Sequence, residues 1–465
     1  MADNNNEEKL SLLQQLGKRG AGLDKQLKEL VTQYESMNSR TEQYEALLKE
    51  FGLEDGASRD RQGVKRFKMV SMLYVVIKGF NTLVHTEDAQ MQLDKLDEII
   101  FTIGDIAGKY NLTKIPTVGD NILLAGGIMV ENKTNPIDAA MAAKEIIKSI
   151  DDYKKKTPTI WSVAIGIHTG PIMARYAPRK TSPYTLAGNN VLTVSRLGRA
   201  ADSGDIVVSP MTYELVKEFF EIEKFGKVPV KYSGTMEVYQ LGKIKEGLLN
   251  ADGSMSDEFD LRYSRIQFMD IQEYMLDMLE EQLPKNLYYH NVKHTIDVTT
   301  EVELIGWTEG LSESDIMLLK VAALFHDSGQ IKCSKGHEAV SCEYAQEILP
   351  RYHYPQEKID TIKRIIMATE LPHEPADTLE AVIQDSDLDY LGRSDFIPVS
   401  NMLYKELTER GAKMTMNQWN KAQIKFISAH QYYTQTAKNL REVNKQSQIE
   451  RLKELVEACD KEGIE

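Results

Sequence analysis

The sequence predicts a three-part chain: an N-terminal coiled coil, an α+β middle domain and an all-α C-terminal domain. Three observations carry this. Between Leu23 and Phe51 apolar residues recur at alternating steps of four and three, the period of a helix seam that winds around a second helix. From Lys68 to Lys243 strand-like runs alternate with helical stretches, as in a mixed α/β or α+β unit. Beyond Asp257 one helical pattern follows another, and apolar runs end abruptly in histidines and carboxylates. The length of 465 residues accommodates two or three domains.

The seam consists of Leu23, Leu27, Leu30, Tyr34, Met37, Thr41, Tyr44, Leu48 and Phe51, with Thr41 its one polar position. Such a strict period is narrower than the apolar stripe of a globular helix, so residues 1–64 are expected to pair in a parallel homodimer. Leu53 to Gly63 is a polar break. The middle domain, 65–243, opens with a strand over Lys68–Val76. A helix over Gln90–Ala107 follows, with Leu93, Leu96, Ile99, Ile100 and Ile103 on one face. Lys114–Ala125 reads as a hairpin turning at Gly119-Asp120. Pro136–Ile150 reads as a helix and Trp161–Ile167 as a strand. Residues 244–284 are read as a linker and a connecting helix, Asp257–Glu281, stopped by Pro284. The third domain spans 285–430, and a charged helix fills 431–465.

Composition narrows the function. A net charge of -14 argues against a nucleic-acid backbone as the main partner. Three cysteines, Cys333, Cys342 and Cys459, show no pairing pattern, which fits a reducing compartment. No apolar run reaches membrane-spanning length, and MADNNNEEKL has neither a basic start nor an apolar stretch to follow. The expected setting is cytoplasmic, with no membrane partner.

The chemistry lies in the helical domain. Leu318–Phe325 is an apolar run that ends in His326-Asp327. Upstream, His290 and His294 are four apart and would share a helix face. Downstream, Leu379–Ile383 runs into Asp385, Asp387 and Asp389. A histidine, a His-Asp pair and an aspartate, each near an apolar helix end, form a donor set for a divalent metal with open positions for water. Spacing leaves the choice among the three aspartates open.

YHNVKHTIDV, ALFHDSG and DSDLDYLG resemble the three signatures of the HD-domain metal-dependent phosphohydrolases. The first also resembles the histidine signature of class I cyclic-nucleotide phosphodiesterases. The resemblance implies His294, His326, Asp327 and Asp387 as metal ligands. It implies His290 as the group that protonates the leaving oxygen, and Asp327 as the residue that holds water and metal. It implies one or two divalent ions (Mn²⁺, Mg²⁺, Fe²⁺ or Zn²⁺), a second ion falling to His337. A further second-metal histidine of such relatives is Ala368 here; Glu338, His353 and His373 are the available substitutes.

VIKGF, TVGDNILLAGG, VAIGIHTGPIMA and YTLAGNNVLTVSRLGRAADSGDIVVS are similar, in order and spacing, to class III adenylate and guanylate cyclases, which implies a ferredoxin-like core. Two metal-binding aspartates serve that reaction. One matches Asp120, but the other position is Val76. The purine-reading positions are Pro116 and Thr185, and the ribose-orienting asparagine is Leu192. The phosphate-binding arginine matches Arg196. The expectation is a cyclase-like domain impaired in catalysis that dimerises and can hold a regulatory nucleotide at Asp120 and Arg196. The enzyme is expected to be a phosphohydrolase acting on a nucleotide phosphoester, first a cyclic mononucleotide. A nucleotidase or alarmone hydrolase, a non-catalytic nucleotide-sensing scaffold and an active cyclase are the rival readings.

Overall fold

β1, Val64–Lys78, is buried on both of its faces. Leu73, Val75 and Ile77 enter one apolar layer, while Phe67, Met72 and Tyr74 enter the other. This explains the largely apolar run KMVSMLYVV, broken within only by Ser71, because a strand covered on both sides has no polar face to alternate with. The computed structural model describes residues 64–83, 88–117, 121–176, 184–230 and 234–462. The expected coiled coil therefore lies outside the described residues.

β1 pairs antiparallel with β3, Ile122–Gly126, and with β4, Ser162–Tyr176. β2, Thr113–Ile115, extends the sheet beyond β3. On the far side stand β6, Ile206–Val208, then β8, Gly234–Ile244, and β7, Phe220–Val230; β5, Tyr184–Ala187, pairs with β4. Helices α1, Ala89–Lys109, and α2, Asn135–Lys156, pack on the Leu73 face. α3, Asn189–Ala200, crosses the other face. Its approach depends on two glycines: a Cβ on Gly166 of β4 would lie 2.2 Å from the backbone nitrogen of Gly198. A short helix α4, Pro210–Val216, completes this α+β half.

The remainder is helical: α5, Asp257–Gln282; α6, Val292–Thr308; α7, Glu313–Phe325; α8, His337–Ile348; α9, Gln356–Met367; α10, Thr378–Asp387; α11, Phe396–Glu409; α12, Met416–Ala429; and α13, Gln435–Glu462. The sequence places α5 as a connector. In the structure its Phe268, Ile271, Met275 and Met278 enter the core formed by Val298, Val302, Leu319 and Phe325. Each such side chain contributes about 1.5–3 kcal/mol on burial. A second cluster, Tyr289, Tyr390, Leu391, Phe396, Ile427, Ile449 and Leu452, packs α13 against α11 and α12.

α5 also grips the α+β half. Asp270 accepts the backbone N–H of Lys133 at 2.8 Å, and the Lys133 ammonium donates to Glu273 at 2.6 Å. Tyr263 donates to Asp138 of α2 at 2.7 Å, and Gln267 donates to the Tyr352 carbonyl. Burial, opposed by Lys133, pushes the Asp270 carboxyl up to about 6. Among the described residues no helix is long and apolar enough to cross a membrane.

Candidate metal centre

Three helix ends deliver the donors. α7 starts on Ser312, whose hydroxyl accepts the Asp315 N–H, a cap worth about 1 kcal/mol. Its apolar body, Leu319 to Phe325, is buried and drives its C-terminal end inward. There His326 Nδ1 lies 2.7 Å from the Ala323 carbonyl. A carbonyl only accepts, so Nδ1 carries the proton and Nε2 presents a lone pair. α6 starts on Asn291, which accepts the N–H groups of Lys293 and His294. This cap sets His294 in the first turn. His290 therefore precedes the helix instead of sharing its face, yet its ring centroid is 6.0 Å from that of His294. The third donor, Asp387, ends α10.

These ends meet. His294 Nε2 is 3.0 Å from Asp387 Oδ1, 3.4 Å from Asp327 Oδ2 and 3.3 Å from His326 Nε2. His326 Nε2 is 3.4 Å from Asp327 Oδ2 and 3.6 Å from Asp387 Oδ1. Ligands about 2.1 Å from one ion lie about 3.0–3.4 Å from each other. One observation calls for a cation here. Among the described residues Asp327 Oδ2 is buried with no hydrogen-bond partner. Burial alone would lower the His326 pKa, but Asp327 and Asp387 hold it well above the ordinary imidazole value. The donor set of two imidazoles and two carboxylates fits a first-row divalent ion.

The other oxygen of Asp327 faces outward. Oδ1 is 3.0 Å from His337 Nε2, and His337 Nδ1 is 3.0 Å from the Ser334 carbonyl. Asp327 thus stands between His337 on one side and the two buried histidines on the other. Gly329 makes this possible, since a Cβ there would fall 2.0 Å from the His337 carbonyl oxygen. Ser341 stitches the same turn by donating to the His326 carbonyl and accepting the Gly329 N–H.

The α+β half contrasts with this convergence. Val76 packs beside Gly198 of α3, in an apolar group with Ala164, Leu197 and Val207. Arg196 spends a guanidinium N–H on the Pro229 carbonyl of β7. Leu192, Thr185 and Pro116 are exposed. Asp120 lies outside the described residues.

Residues 63–243 match the adenylate and guanylate cyclase catalytic domain, and residues 291–393 match the HD domain. The chain thus joins a region that matches the cyclase catalytic domain to one that matches the HD domain. Guanylate cyclase 32E of Drosophila melanogaster is 28% identical over 193 residues, 40% of this chain and 16% of that protein. Guanylate cyclase soluble subunit alpha-1 of Canis lupus familiaris is 29% identical over 155 residues, 33% of this chain and 22% of the relative. The chain thus spans less than a quarter of the length of either relative. The guanylate cyclase domain of RhGC from Catenaria anguillulae in complex with GTP is a structural neighbour at 26% identity, covering 39% of this chain and all of its own, with a TM-score of 0.34. The adenylyl cyclase CyaB from P. aeruginosa covers 40% of this chain and 98% of its own at 24% identity and a TM-score of 0.37.

Within the HD domain the three aspartates separate. Asp385 accepts the N–H groups of Tyr433 and Thr434 and the Thr434 hydroxyl, so it anchors the start of α13. Asp389 pairs with Arg441. Asp387 alone of the three contacts the histidines. His353 sits against Asn111 and Asp138 at the cyclase-domain contact. His373 binds Glu380 at 2.9 Å, and Ala368 is fully buried. Neither His353 nor His373 joins the cluster, whereas Glu338 Oε2 is 3.5 Å from His337 Nδ1. Cys342 is buried, and burial raises its thiol to about 11.

The residue that sequence reasoning missed is Glu406. It is buried on α11, more than a hundred positions from His290. Its Oε1 lies 2.5 Å from His290 Nδ1, and its Oε2 accepts the N–H groups of Tyr289 and His290. Burial would lower the His290 pKa, but Asp327 and Glu406 outweigh it and hold the imidazole above its ordinary value. KELTE gives no signal beyond a glutamate on a helix.

Proposed function

We propose that this chain is a cyclic-nucleotide phosphodiesterase of the HD type, with a cyclase domain that regulates and dimerises and does not itself close the cyclic ring. The observation that carries the reading is the His290–Glu406 pair beside the His294–His326–Asp327–Asp387 cluster. It supplies a proton donor next to a metal-ready carboxylate.

His294, His326, Asp327 and Asp387 would hold the ion, and His337 with Asp327 would hold a second. When bound, such an ion supplies Lewis-acid activation of water and of the phosphoryl oxygens. The chain's own residues do the rest. Glu406 accepts a hydrogen bond from Nδ1–H of His290, so Nε2–H is left as the donor for the leaving oxygen. Two backbone N–H groups hold Glu406 ionised and fixed, which keeps His290 in one orientation. Tyr289, buried and neutral, packs on His294 at 4.6 Å between ring centroids and excludes water from that side. Lys293 is 71% exposed and pairs with Asp297, so it stays out of the chemistry.

A cyclic mononucleotide is the preferred substrate because the proton donor suits an alkoxide leaving group and because a cyclase domain shares the chain. The guanylate cyclases among its relatives make a guanine nucleotide a reasonable first choice for the regulatory ligand. Val76 in place of a carboxylate, Leu192 in place of an amide and Arg196 bonded to its own sheet support the impaired cyclase. The test is hydrolysis of cyclic mononucleotides, cyclic dinucleotides and nucleoside triphosphates with Mn²⁺ or Mg²⁺, beside Asp327→Ala. Cleavage of a cyclic mononucleotide that disappears in the variant supports the phosphodiesterase. Cleavage of triphosphates alone moves the assignment to a nucleotidase, and cyclic nucleotide formed from a triphosphate overturns the impaired cyclase.

A further inference from the structure

The metal cluster accounts for the nucleophilic side of the reaction but leaves the anion of the substrate without a partner on the His290 side. Several cations near the centre are already committed. Lys293 and Arg393 both bind Asp297, Arg393 also binds Asp395, and Lys332 faces Glu343. Arg410 differs. It caps the C-terminal end of α11 one turn beyond Glu406. Its Nη1 donates to the Gln330 side chain at 3.0 Å, and Gln330 lies three residues after Asp327. The same Nη1 is 3.7 Å from Glu406 Oε1, too far for a hydrogen bond. Glu406 is meanwhile saturated by His290 and two backbone N–H groups.

Two consequences follow from this arrangement. First, the guanidinium is held at one edge only. Among the described residues its Nη2 and Nε meet no acceptor, and the side chain is 23% exposed. Second, its charge is poorly neutralised, because the single carboxylate nearby is shared with His290. A guanidinium anchored at one edge and open at the other presents the planar fork that binds two phosphate oxygens at once. Gln330 and Glu406 hold that guanidinium between the turn after Asp327 and the carboxylate that pairs with His290.

We propose that Arg410 binds a non-bridging phosphate oxygen of the substrate and sets affinity for the anionic phosphoester. This rests on the phosphohydrolase reading of the centre and deepens it. Arg410 touches substrate through its open edge, while Gln330 is the residue that positions it.

The test uses the full-length, metal-loaded protein and two readouts. The first is steady-state kinetics of wild type, Arg410→Lys and Arg410→Gln on whichever phosphoester the panel identifies. The second is calorimetric binding of inorganic phosphate to the same three proteins, which needs no turnover. The expected result is a KM raised about 10- to 100-fold in Arg410→Gln, the range of one charge-assisted contact, with kcat changed much less. Phosphate binding should weaken by a similar factor, and Arg410→Lys should restore part of both. Unchanged KM and phosphate affinity, with only kcat reduced, would overturn the proposal and leave Arg410 as a brace for Glu406. If wild type cleaves no phosphoester, the phosphohydrolase reading fails. Phosphate binding then decides Arg410 separately: a loss in Arg410→Gln supports the anion site, and equal binding refutes it. Arg410→Lys guards against misfolding, since it retains charge and the α11 end.

Discussion

The two halves of the molecule both carry motifs for metal-assisted phosphate chemistry, but they treat those residues differently. In the HD domain, donors from three distant helix ends come within 3.0–3.6 Å of each other, around a buried carboxylate oxygen that has no hydrogen-bond partner among the described residues. In the cyclase domain the matching positions turn away from such a task. Val76 joins an apolar cluster and Arg196 bonds its own sheet. A motif states which residue types are present; whether their polar atoms are left unsatisfied and facing each other separates a poised site from a retained fold.

That contrast can be broken experimentally, and Asp327→Ala is the most severe test. It should remove tightly bound metal, read by elemental analysis, and take hydrolysis below detection. Metal and activity surviving together would mean that the cluster is structural. Next, Glu406→Gln should lower kcat about 10- to 100-fold, as for partners that orient a catalytic imidazole, while metal content stays at the wild-type level. Equal loss of metal would show that Glu406 supports the cluster and not the proton donor.

The neighbouring aspartates sharpen the comparison further. Asp387→Ala should cost metal. Asp385→Ala should retain metal but lose about 1–3 kcal/mol of stability in chemical denaturation, because it strands the donors at the start of α13. The reverse pattern would exchange their roles. The smallest effect is expected of Val76→Asp. Restoring the carboxylate type should yield no pyrophosphate from a triphosphate, since Leu192, Pro116 and Thr185 still lack the groups that orient a nucleotide.

Much of this was legible in the residues. Apolar runs ending in His-Asp or Asp told where helices stop, and burial of those runs is what brings their ends together. The strand KMVSMLYVV and the helix Asp257–Glu281 were legible for the same reason. Other features were not. Spacing could not choose among Asp385, Asp387 and Asp389, because Asp385 is claimed by a segment that begins near Tyr433 and Asp389 by Arg441. Glu406 was invisible because its pairing with His290 is a contact across 116 positions. His290 looked like a helix residue until the Asn291 cap placed the helix start after it.

The helix α5 has a consequence for how this protein can be taken apart. Phe268, Ile271 and Met275 on it complete the helical core, while Tyr263 and Asp270 on the same helix fasten it to the cyclase domain. A cut after it, near Pro284, would strip the helical half of part of its interior. A cut before it would leave a severed ion pair and an orphaned tyrosine on a new surface. The protein is divisible by motif but not by scissors, and an expression boundary drawn where the family matches begin and end would fall on the wrong side of its shared wall.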